Sequence, residues 1–259
     1  TGTGAQSFST AKITLSAKTL LTYLPFDYEM EEDAIIPMLP EVKADIAEGF
    51  AVAMEKAIIS GDEGSASAHM DADVSNDYDC RCAWDGLRKL CPDASKVDMG
   101  GNVITAARAR TIALNMGVYG KDVANIVWIA SLDVYHQLRN TGEVITLDKY
   151  GPNATILKGE LGKFDGSPLI VSEYVPTDLD STGVNSGNYI NDIKTILICV
   201  RKDGYIIGDR RKLMIETDKD ILNQYTQVVG STRNDFVGRF ASTETTVGIG
   251  FNIKTGALS

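Results

Sequence analysis

The sequence offers few residues of the kinds that perform acid–base or metal chemistry. It contains two histidines, His69 in an acidic stretch and His136 further along the chain. Neither belongs to an HxxxH or HExxH pattern, in which two ligands reach one metal from a helix face. The run His69-Met-Asp71-Ala-Asp73 carries carboxylates that suit a hard cation, but it lacks the spacing, central glycine and closing glutamate of a calcium loop. We therefore predict a solvated acidic loop and no metal site.

Cysteine and threonine are the remaining candidate nucleophiles. Cys80 and Cys82 are separated by one residue, and together with Cys91 they match no zinc-binding spacing, so we predict reduced thiols. Cys199 lies in an apolar run and is predicted to be a buried core thiol. Thr1 carries an α-amine that could serve as the base of an N-terminal nucleophile. A processed start, or the start of a partial chain, accounts for Thr1 equally well.

Glycine-rich segments predict no cofactor site either. Gly2-Thr-Gly4 and Gly248-Ile-Gly250 are fragments of phosphate-binding loops, but neither completes a GxGxxG or Walker sequence, and GxSxG does not occur. The second fragment lies in a strand-like run. The sequence therefore predicts no catalytic residue, no cofactor and no metal ligand. We expect a structural or binding role and not an enzyme.

Charge is distributed unevenly along the chain. Residues 1–100 carry 18 acidic and 8 basic side chains, whereas residues 101–259 carry 17 of each, and the net charge is −10. This acidic balance disfavours sequence-specific binding to nucleic acid. The densest basic cluster is Gly208-Asp-Arg-Arg-Lys212. It is expected either to pair with acidic segments of a neighbouring chain or to form a turn that exposes its cations to solvent.

The clearest element in the sequence is a long amphipathic helix from Glu41 to Ile59. An acidic stretch at 31–33 favours its start, and regular helix is expected to begin between Pro37 and Pro40. Gly61 is expected to end it. The apolar positions that repeat at three- and four-residue spacing are Leu39, Val42, Ile46, Phe50, Ala53 and Ala57.

The segments after this helix predict a mixture of helices and strands. Residues 61–81 are small, polar and acidic, and they form the best loop or domain boundary in the chain. Lys202-Asp-Gly204 predicts a tight turn between two strands. This order predicts an α+β fold, and no apolar run is long enough for a membrane helix. Strands are expected at 12–30, 125–130, 168–175, 194–200, 204–208, 212–217, 223–230 and 243–253, and helices at 83–91, 104–119 and 132–138.

From the first strand to Gly61-Asp-Glu-Gly64, the chain resembles the major capsid proteins of tailed double-stranded DNA bacteriophages, which have the Hong Kong 97 fold. In that family a strand leads into a long spine helix, which ends at a Gly-Asp turn like Ile59-Ser-Gly-Asp62. The order and spacing of further stretches match the family over residues 12–253. These stretches are Ala83-Trp-Asp-Gly-Leu-Arg88, residues 104–119, Asn125-Ile-Val-Trp-Ile-Ala-Ser131, Asp148-Lys-Tyr-Gly151, Gly159-Glu-Leu-Gly-Lys-Phe-Asp-Gly-Ser-Pro168, Gly208-Asp-Arg-Arg211 and Ser231-Thr-Arg-Asn-Asp-Phe236.

The resemblance implies a Hong Kong 97-like capsid fold with a long spine helix, a peripheral domain and an axial domain. Residues 1–82 (strand, spine helix and acidic loop) and the strands of 207–240 would form the peripheral domain. Residues 83–206, with the last strand and C-terminus in 241–259, would form the axial domain. The implied function is that of a major capsid protein, assembled in the host cytoplasm into the hexamers and pentamers of a virion's icosahedral head. The candidate subunit-interface residues are Arg210, Arg211, Lys212, Arg233 and Asp235.

The expected partner is therefore the chain itself, with portal, scaffold and decoration proteins as further candidates. Packaged double-stranded DNA would be enclosed without sequence-specific contacts, and no membrane partner is expected. The main alternative is an encapsulin-like bacterial compartment shell; an N-terminal-threonine hydrolase and a monomeric binding module are others. The residues ahead of the spine helix suffice for the returning strand of the family's extended loop at most, and its N-terminal arm has no counterpart here.

Overall fold

Helix α1 (Met38–Ser60) is the longest helix of the computed structural model, which describes residues 12–29, 38–140, 160–188, 190 and 192–256. The helices that follow are α2 (Leu87–Leu90), α3 (Ala106–Asn115) and α4 (Leu132–Asn140). The strands are β1 (Lys18–Asp27), β2 (Lys96–Asp98), β3 (Ile126–Ala130), β4 (Glu160–Phe164), β5 (Ser167–Val171), β6 (Lys194–Arg201), β7 (Tyr205–Asp220), β8 (Tyr225–Gly238) and β9 (Val247–Lys254).

Strands β1, β8 and β7 form an antiparallel sheet in that order. The central strand β8 pairs with β1 along the whole length of β1. Because side chains alternate along a strand, one face of β8 is turned toward helix α1, where Ile46 and Phe50 share an apolar cluster with Val228. Gly230 lets the helix lie close, since a Cβ at this position would be 2.7 Å from Ile46 and from Phe50.

The second sheet has the strand order β2-β9-β6-β3-β5-β4 and is mixed. β2 runs parallel to β9 and β3 runs parallel to β5, while the other neighbours are antiparallel. Helix α3 packs here through the fully buried Ala109 and Ile112, together with Met116 directly after its end. A Cβ on Gly248 or Gly250 of β9 would lie 2.9 or 2.7 Å from Ile112. These two glycines therefore serve helix packing.

Most predicted elements are confirmed, and the differences have local causes. Helix α1 is described from Met38 and ends at Ser60, directly before Gly61, as predicted. The helix predicted over 83–91 is reduced to α2, because Gly86 is extended (φ −87°, ψ −179°) and its N–H is bonded to the Gly61 carbonyl. The helix predicted over 104–119 ends at Asn115, and Gly117 then takes a left-handed conformation (φ 59°).

Strand β7 corrects two predictions. The strands predicted at 204–208 and 212–217 are one strand, and the cluster 208–212 lies within it and not in a turn. Bulges against β8 between Asp209 and Met214 interrupt the alternation of side chains, which explains the predicted gap. The turn predicted at 202–204 is present, but it joins β6 to a strand of the other sheet. The predicted strands do not include β2 and β4, which have 3 and 5 residues.

The mixture of helices and two sheets confirms the predicted α+β class. Within the described part of the chain, no helix has the length and hydrophobicity needed to cross a bilayer. The predictions that lie outside the described residues concern Thr1, Gly2-Thr-Gly4, Met30 at the C-terminal end of the strand predicted over 12–30, the acidic stretch 31–33, Pro37, and the family stretches at 148–151 and Gly159.

The C-terminal end of α1 crosses the segment before α2 in direct backbone contact. The Gly86 N–H donates to the Gly61 carbonyl at 2.9 Å, and the Gly61 N–H donates to the Ala57 carbonyl at 2.9 Å. A Cβ on Gly61 would lie 2.3 Å from the carbonyl oxygens of Ala57 and Trp84. The turn that ends the helix therefore has no room for a side chain at this position.

Gly61→Ala is expected to lower the free energy of unfolding by about 1–3 kcal/mol, because the added methyl group meets backbone atoms that cannot rotate away. Gly49→Ala is the matched control, since Gly49 is exposed on the same helix and has open space around it. That change is expected to add about 0.5–1 kcal/mol. Denaturant unfolding followed by tryptophan fluorescence measures both, and equal stability of the two variants would contradict the tight crossing.

Candidate subunit interface

The predicted basic cluster lies on the edge strand of the three-stranded sheet. Arg210 and Lys212 are exposed on β7, and neither forms an ion pair within the described part of the chain. The bulges on either side of Arg211 turn successive side chains outward, so that Lys212, Leu213 and Met214 are all exposed. Among the described strands, none lies beyond β7. This edge is therefore available to another chain.

Arg211 and Arg233 lie directly opposite one another on β7 and β8. The Nε atoms of both guanidinium groups are buried and have no hydrogen-bond partner among the described residues. Arg233 also donates from Nη2 to the Ala17 carbonyl at 3.3 Å. Like charges in opposed positions repel, and an unpaired buried donor is costly. The two arginines are therefore suited to a carboxylate from outside the described chain.

Asp235 is engaged inside the chain. It is 8% exposed, and its Oδ2 accepts a hydrogen bond from the Ser16 N–H at 2.6 Å. Next to this bond Leu15 packs against Gly208. A Cβ on Gly208 would lie 2.9 Å from the Leu15 side chain. Asp235 thus holds the stretch ahead of β1 against the sheet. The role of the five candidate residues in subunit contacts stays a prediction.

A groove of about 780 Å³ lies between β1, helix α1 and residues 77–83, and we call it the β1–α1 groove. Leu21 and Tyr78 line it and are 65% and 98% exposed. Asp45 and Asp77 line it as well, and both are exposed to solvent. Clustered apolar side chains that remain exposed on a folded chain are typical of contact surfaces. The groove is a second candidate surface, which the sequence does not predict.

Residues 61–81, predicted to be a solvated acidic loop, are instead tied into the core by ion pairs. Asp71 and Arg88 form a two-point pair with N–O distances of 2.5 and 2.8 Å. Their side chains are only 2% and 3% exposed, respectively. Arg88 also donates to the Gly183 carbonyl at 2.8 Å, and Asp71 accepts from the Asn185 N–H at 2.9 Å. The prediction is wrong because it assigns these carboxylates to water, whereas their partners are cations of the next segment.

Three further carboxylates of this segment, those of Asp62, Asp73 and Asp79, are also paired with cations. Lys89 pairs with Asp62 at 3.0 Å. Arg81 pairs with Asp73 at 2.8 Å and with Asp79 at 2.9 Å. Matching the acidic residues to the cations that follow them in the sequence would have indicated this pairing. The pairs that reach α2 form an ionic junction between it and this segment, and the Asp71–Arg88 pair is its buried part.

Burial alone would raise the pKa of Asp71, but the charge and hydrogen bonds of Arg88 and the Asn185 N–H outweigh it and lower the pKa. An unperturbed aspartate has a pKa of about 3.9. A lowered folded-state pKa means that the pair contributes its full stability above that pH and loses it as the pH falls through the lowered value. The junction is therefore expected to persist in mildly acidic solution.

The remaining candidate nucleophiles and ligands have structural surroundings. His69 is buried, and its Nδ1 accepts from the Asp71 N–H at 3.0 Å. Cys199 is fully buried, as predicted, and burial raises the pKa of its thiol. Cys80, Cys82 and Cys91 are free thiols. In the described ranges, no three His, Cys, Asp or Glu side chains are placed to hold a metal ion.

Arg88→Met is expected to lower the free energy of unfolding by about 3–5 kcal/mol, because it leaves the Asp71 carboxylate buried without its partner. Lys96→Met is the control, since Lys96 pairs with Asp93 while their side chains are 39% and 97% exposed. Its loss is expected to be about 0–1 kcal/mol. Denaturant titration of both variants gives the comparison. Similar losses for the two changes would argue against a stabilising role for the buried pair.

The profile of the Phage capsid family matches residues 1–239 of the chain. Over 212 residues the chain is 27% identical to the major capsid protein of Escherichia phage T5, an alignment that covers 82% of the chain and 40% of the T5 protein. The chain therefore spans less than half the length of this curated relative.

Solved structures with the same fold include a phage capsid and an encapsulin. The capsid of Ralstonia phage GP4 gives a TM-score of 0.64 at 10% identity, covering 99% of this chain and 82% of that one. The holo-SrpI encapsulin complex of Synechococcus elongatus PCC 7942 gives a TM-score of 0.60 at 14% identity, covering 92% and 74%. These similarities confirm the predicted Hong Kong 97-like fold. At such identities they concern the fold alone.

Proposed function

Because the chain belongs to the phage capsid family, we propose that it is the major capsid protein of a tailed bacteriophage, assembling into the hexamers and pentamers of an icosahedral head. The observation that carries this proposal is the family match over residues 1–239, supported by 27% identity to the T5 protein. The protein would assemble in the host cytoplasm and reside in the virion.

The capsid layout assigns a peripheral domain to residues 1–82 and 207–240 and an axial domain to residues 83–206 and 241–259. The two sheets support this division. The three-stranded sheet and helix α1 are built from both ends of the described chain, and the six-stranded sheet is built mainly from its middle. Each unit is discontinuous in sequence, which explains why no single linker divides the chain.

The shell would be held by heterologous contacts, in which one surface of a copy meets a different surface of the next. We assign the basic side of such a contact to Arg210, Arg211 and Lys212, with Arg233 beside them. The exposure of Arg210 and Lys212 on an edge strand supports this assignment. Asp235 would act indirectly, by holding the Ser16 N–H and the stretch ahead of β1 against the sheet.

The role of a capsid subunit is structural, and we expect the chain to catalyse no reaction. Portal, scaffold and decoration proteins are further candidate partners. The packaged double-stranded DNA would be enclosed without sequence-specific contacts, because a chain with a net charge of −10 repels phosphate overall. Many modest contacts between copies would then make the shell durable.

An encapsulin-like compartment shell is the second candidate, and the structural likeness to the Synechococcus encapsulin favours it. The two functions differ in what the shell encloses. Particles purified from their native source are expected to contain double-stranded DNA if the protein is a phage capsid subunit. Particles that contain enzymes and no DNA would favour the compartment.

Negative-stain microscopy of the expressed chain tests assembly itself. We expect shells, rings or sheets of repeated subunits, because contacts of this class propagate when one surface binds a different surface on the next copy. Size-exclusion chromatography gives the independent measurement. A chain that elutes as a folded monomer and forms no particle at any concentration would contradict the proposed function.

Reversing Arg210→Glu and Arg211→Glu together is expected to reduce assembly while leaving the chain folded, because the change turns the basic side of the contact acidic. Lys121→Glu with Arg139→Glu is the control, since it alters the net charge equally at exposed positions away from β7. Particle yield and circular dichroism are the two measurements. Normal particles from the Arg210/Arg211 variant would overturn the assignment.

A further inference from the structure

The three-stranded sheet ends in two unlike edges. Its order is β1-β8-β7, so β1 forms one edge and β7 the other within the described chain. β1 lines the β1–α1 groove, whereas β7 carries the basic cluster. If two copies met through the same edge, basic side chains would face basic side chains. Opposite charges can meet only if one edge of a copy contacts a different surface of the next. The sheet is suited to a head-to-tail contact.

The bulged stretch of β7 presents both charge and apolar surface, and we call Arg210–Met214 the basic edge segment. Bulges between Asp209 and Arg211 and between Arg211 and Met214 break the regular ladder with β8. A bulged edge pairs poorly with another strand, so a contact here is made by side chains. Leu213 and Met214 are each 39% exposed, and Arg210 and Lys212, which precede them, form no ion pair with any described residue.

The β1–α1 groove contains two exposed carboxylates, and its one described lining cation, Lys18, is paired with Glu63 at 2.6 Å. Asp45 lies on the exposed side of helix α1 and forms no ion pair with any described residue. Asp77 lies across from the helix, where its Oδ1 accepts the Ala66 N–H at 2.7 Å and leaves the other oxygen free of described partners. The lining also contains the apolar side chains of Leu21 and Leu24, and Gly49 leaves open space along the helix.

We propose that the basic edge segment of one copy docks in the β1–α1 groove of the next copy. Arg210 and Lys212 would face Asp45 and Asp77, while Leu213 and Met214 would cover the apolar lining. The inference rests on the proposed self-assembly and deepens it, since it names the acidic surface that receives the basic cluster. Because the two surfaces differ, the contact repeats from copy to copy and closes into a ring.

Charge swapping tests the pairing. The first variant carries Arg210→Glu and Lys212→Glu, the second carries Asp45→Lys and Asp77→Lys, and the third carries all four changes and restores the net charge of −10. Particle yield of each of the first two is expected to fall by about tenfold or more at low salt, because like charges then meet at every contact. The third variant is expected to recover most of the yield, since the charges are opposite again.

Mixing the first two variants is a further measurement. Each supplies the surface that the other lacks, so alternating copies satisfy every contact in a ring of even number and leave one mismatch in a ring of odd number. Recovery of hexamers without pentamers is therefore expected. The control is Lys121→Glu with Arg139→Glu, which shifts the net charge as the first variant does and is expected to assemble normally.

The failures of the two proposals are distinguishable. An unmodified chain that forms no particles overturns the proposed function. An unmodified chain that assembles while either half-reversed variant also assembles normally overturns the docking, and so does a folded four-fold variant that stays unassembled. Circular dichroism monitors folding. If Asp77→Lys unfolds the chain, Asp77→Asn replaces it, because the amide oxygen keeps the acceptor for the Ala66 N–H.

Discussion

The buried pair of Asp71 and Arg88 determines how helix α1 meets the six-stranded sheet. Arg88 contacts the last residue of the helix, Ser60, at 3.1 Å, and the Gly183 carbonyl, in the chain that leads into β6, at 2.8 Å. Both charged groups are shielded from water, so removing one would leave the other unpaired in the protein interior. The glycine crossing at Gly61 adds a steric constraint at the same place. The three-stranded sheet packs on α1 and therefore depends on this junction for its position.

The parts of the fold that the sequence predicts well are those with local causes. Helix α1 repeats its apolar positions within the helix itself, and the strand at Cys199 is an uninterrupted apolar run. The buried junction depends on distant partners, since Arg88 and Gly183 are 95 residues apart. The cations of β7 are visible in the composition, but the opposition of Arg211 and Arg233 follows from the bulged register of two strands. The sequence of either strand alone does not determine this register.

The folded chain retains polar and apolar groups that have no partner within its described part. Two opposed guanidinium groups keep unpaired nitrogen atoms, and large apolar side chains such as Leu21 and Tyr78 stay in solvent. In a monomer these features lower stability. A buried donor without a hydrogen-bond partner costs free energy, and exposed apolar surface forgoes the gain of burial. The arginines and Leu21 lie on the sheet that α1 supports, and Tyr78 lies beside it across the β1–α1 groove, whereas the six-stranded sheet encloses the larger fully buried core. One unit thus supplies stability, and the other carries most of the unsatisfied surface described here.

The pairing of β1 with β8 also sets the order of events during synthesis. Ser16 and Asp235, which are hydrogen-bonded beside that pairing, are 219 positions apart, so β1 pairs with β8 only after the more than 200 residues between them have been translated. Contacts of such long sequence separation form late, after the cost of closing a large loop. The six-stranded sheet likewise depends on β9, which lies between β2 and β6 and comes after the other described strands in the sequence. A nascent chain on the ribosome therefore displays no finished edge or groove. The β1–α1 groove is complete only once β8 holds β1 in place.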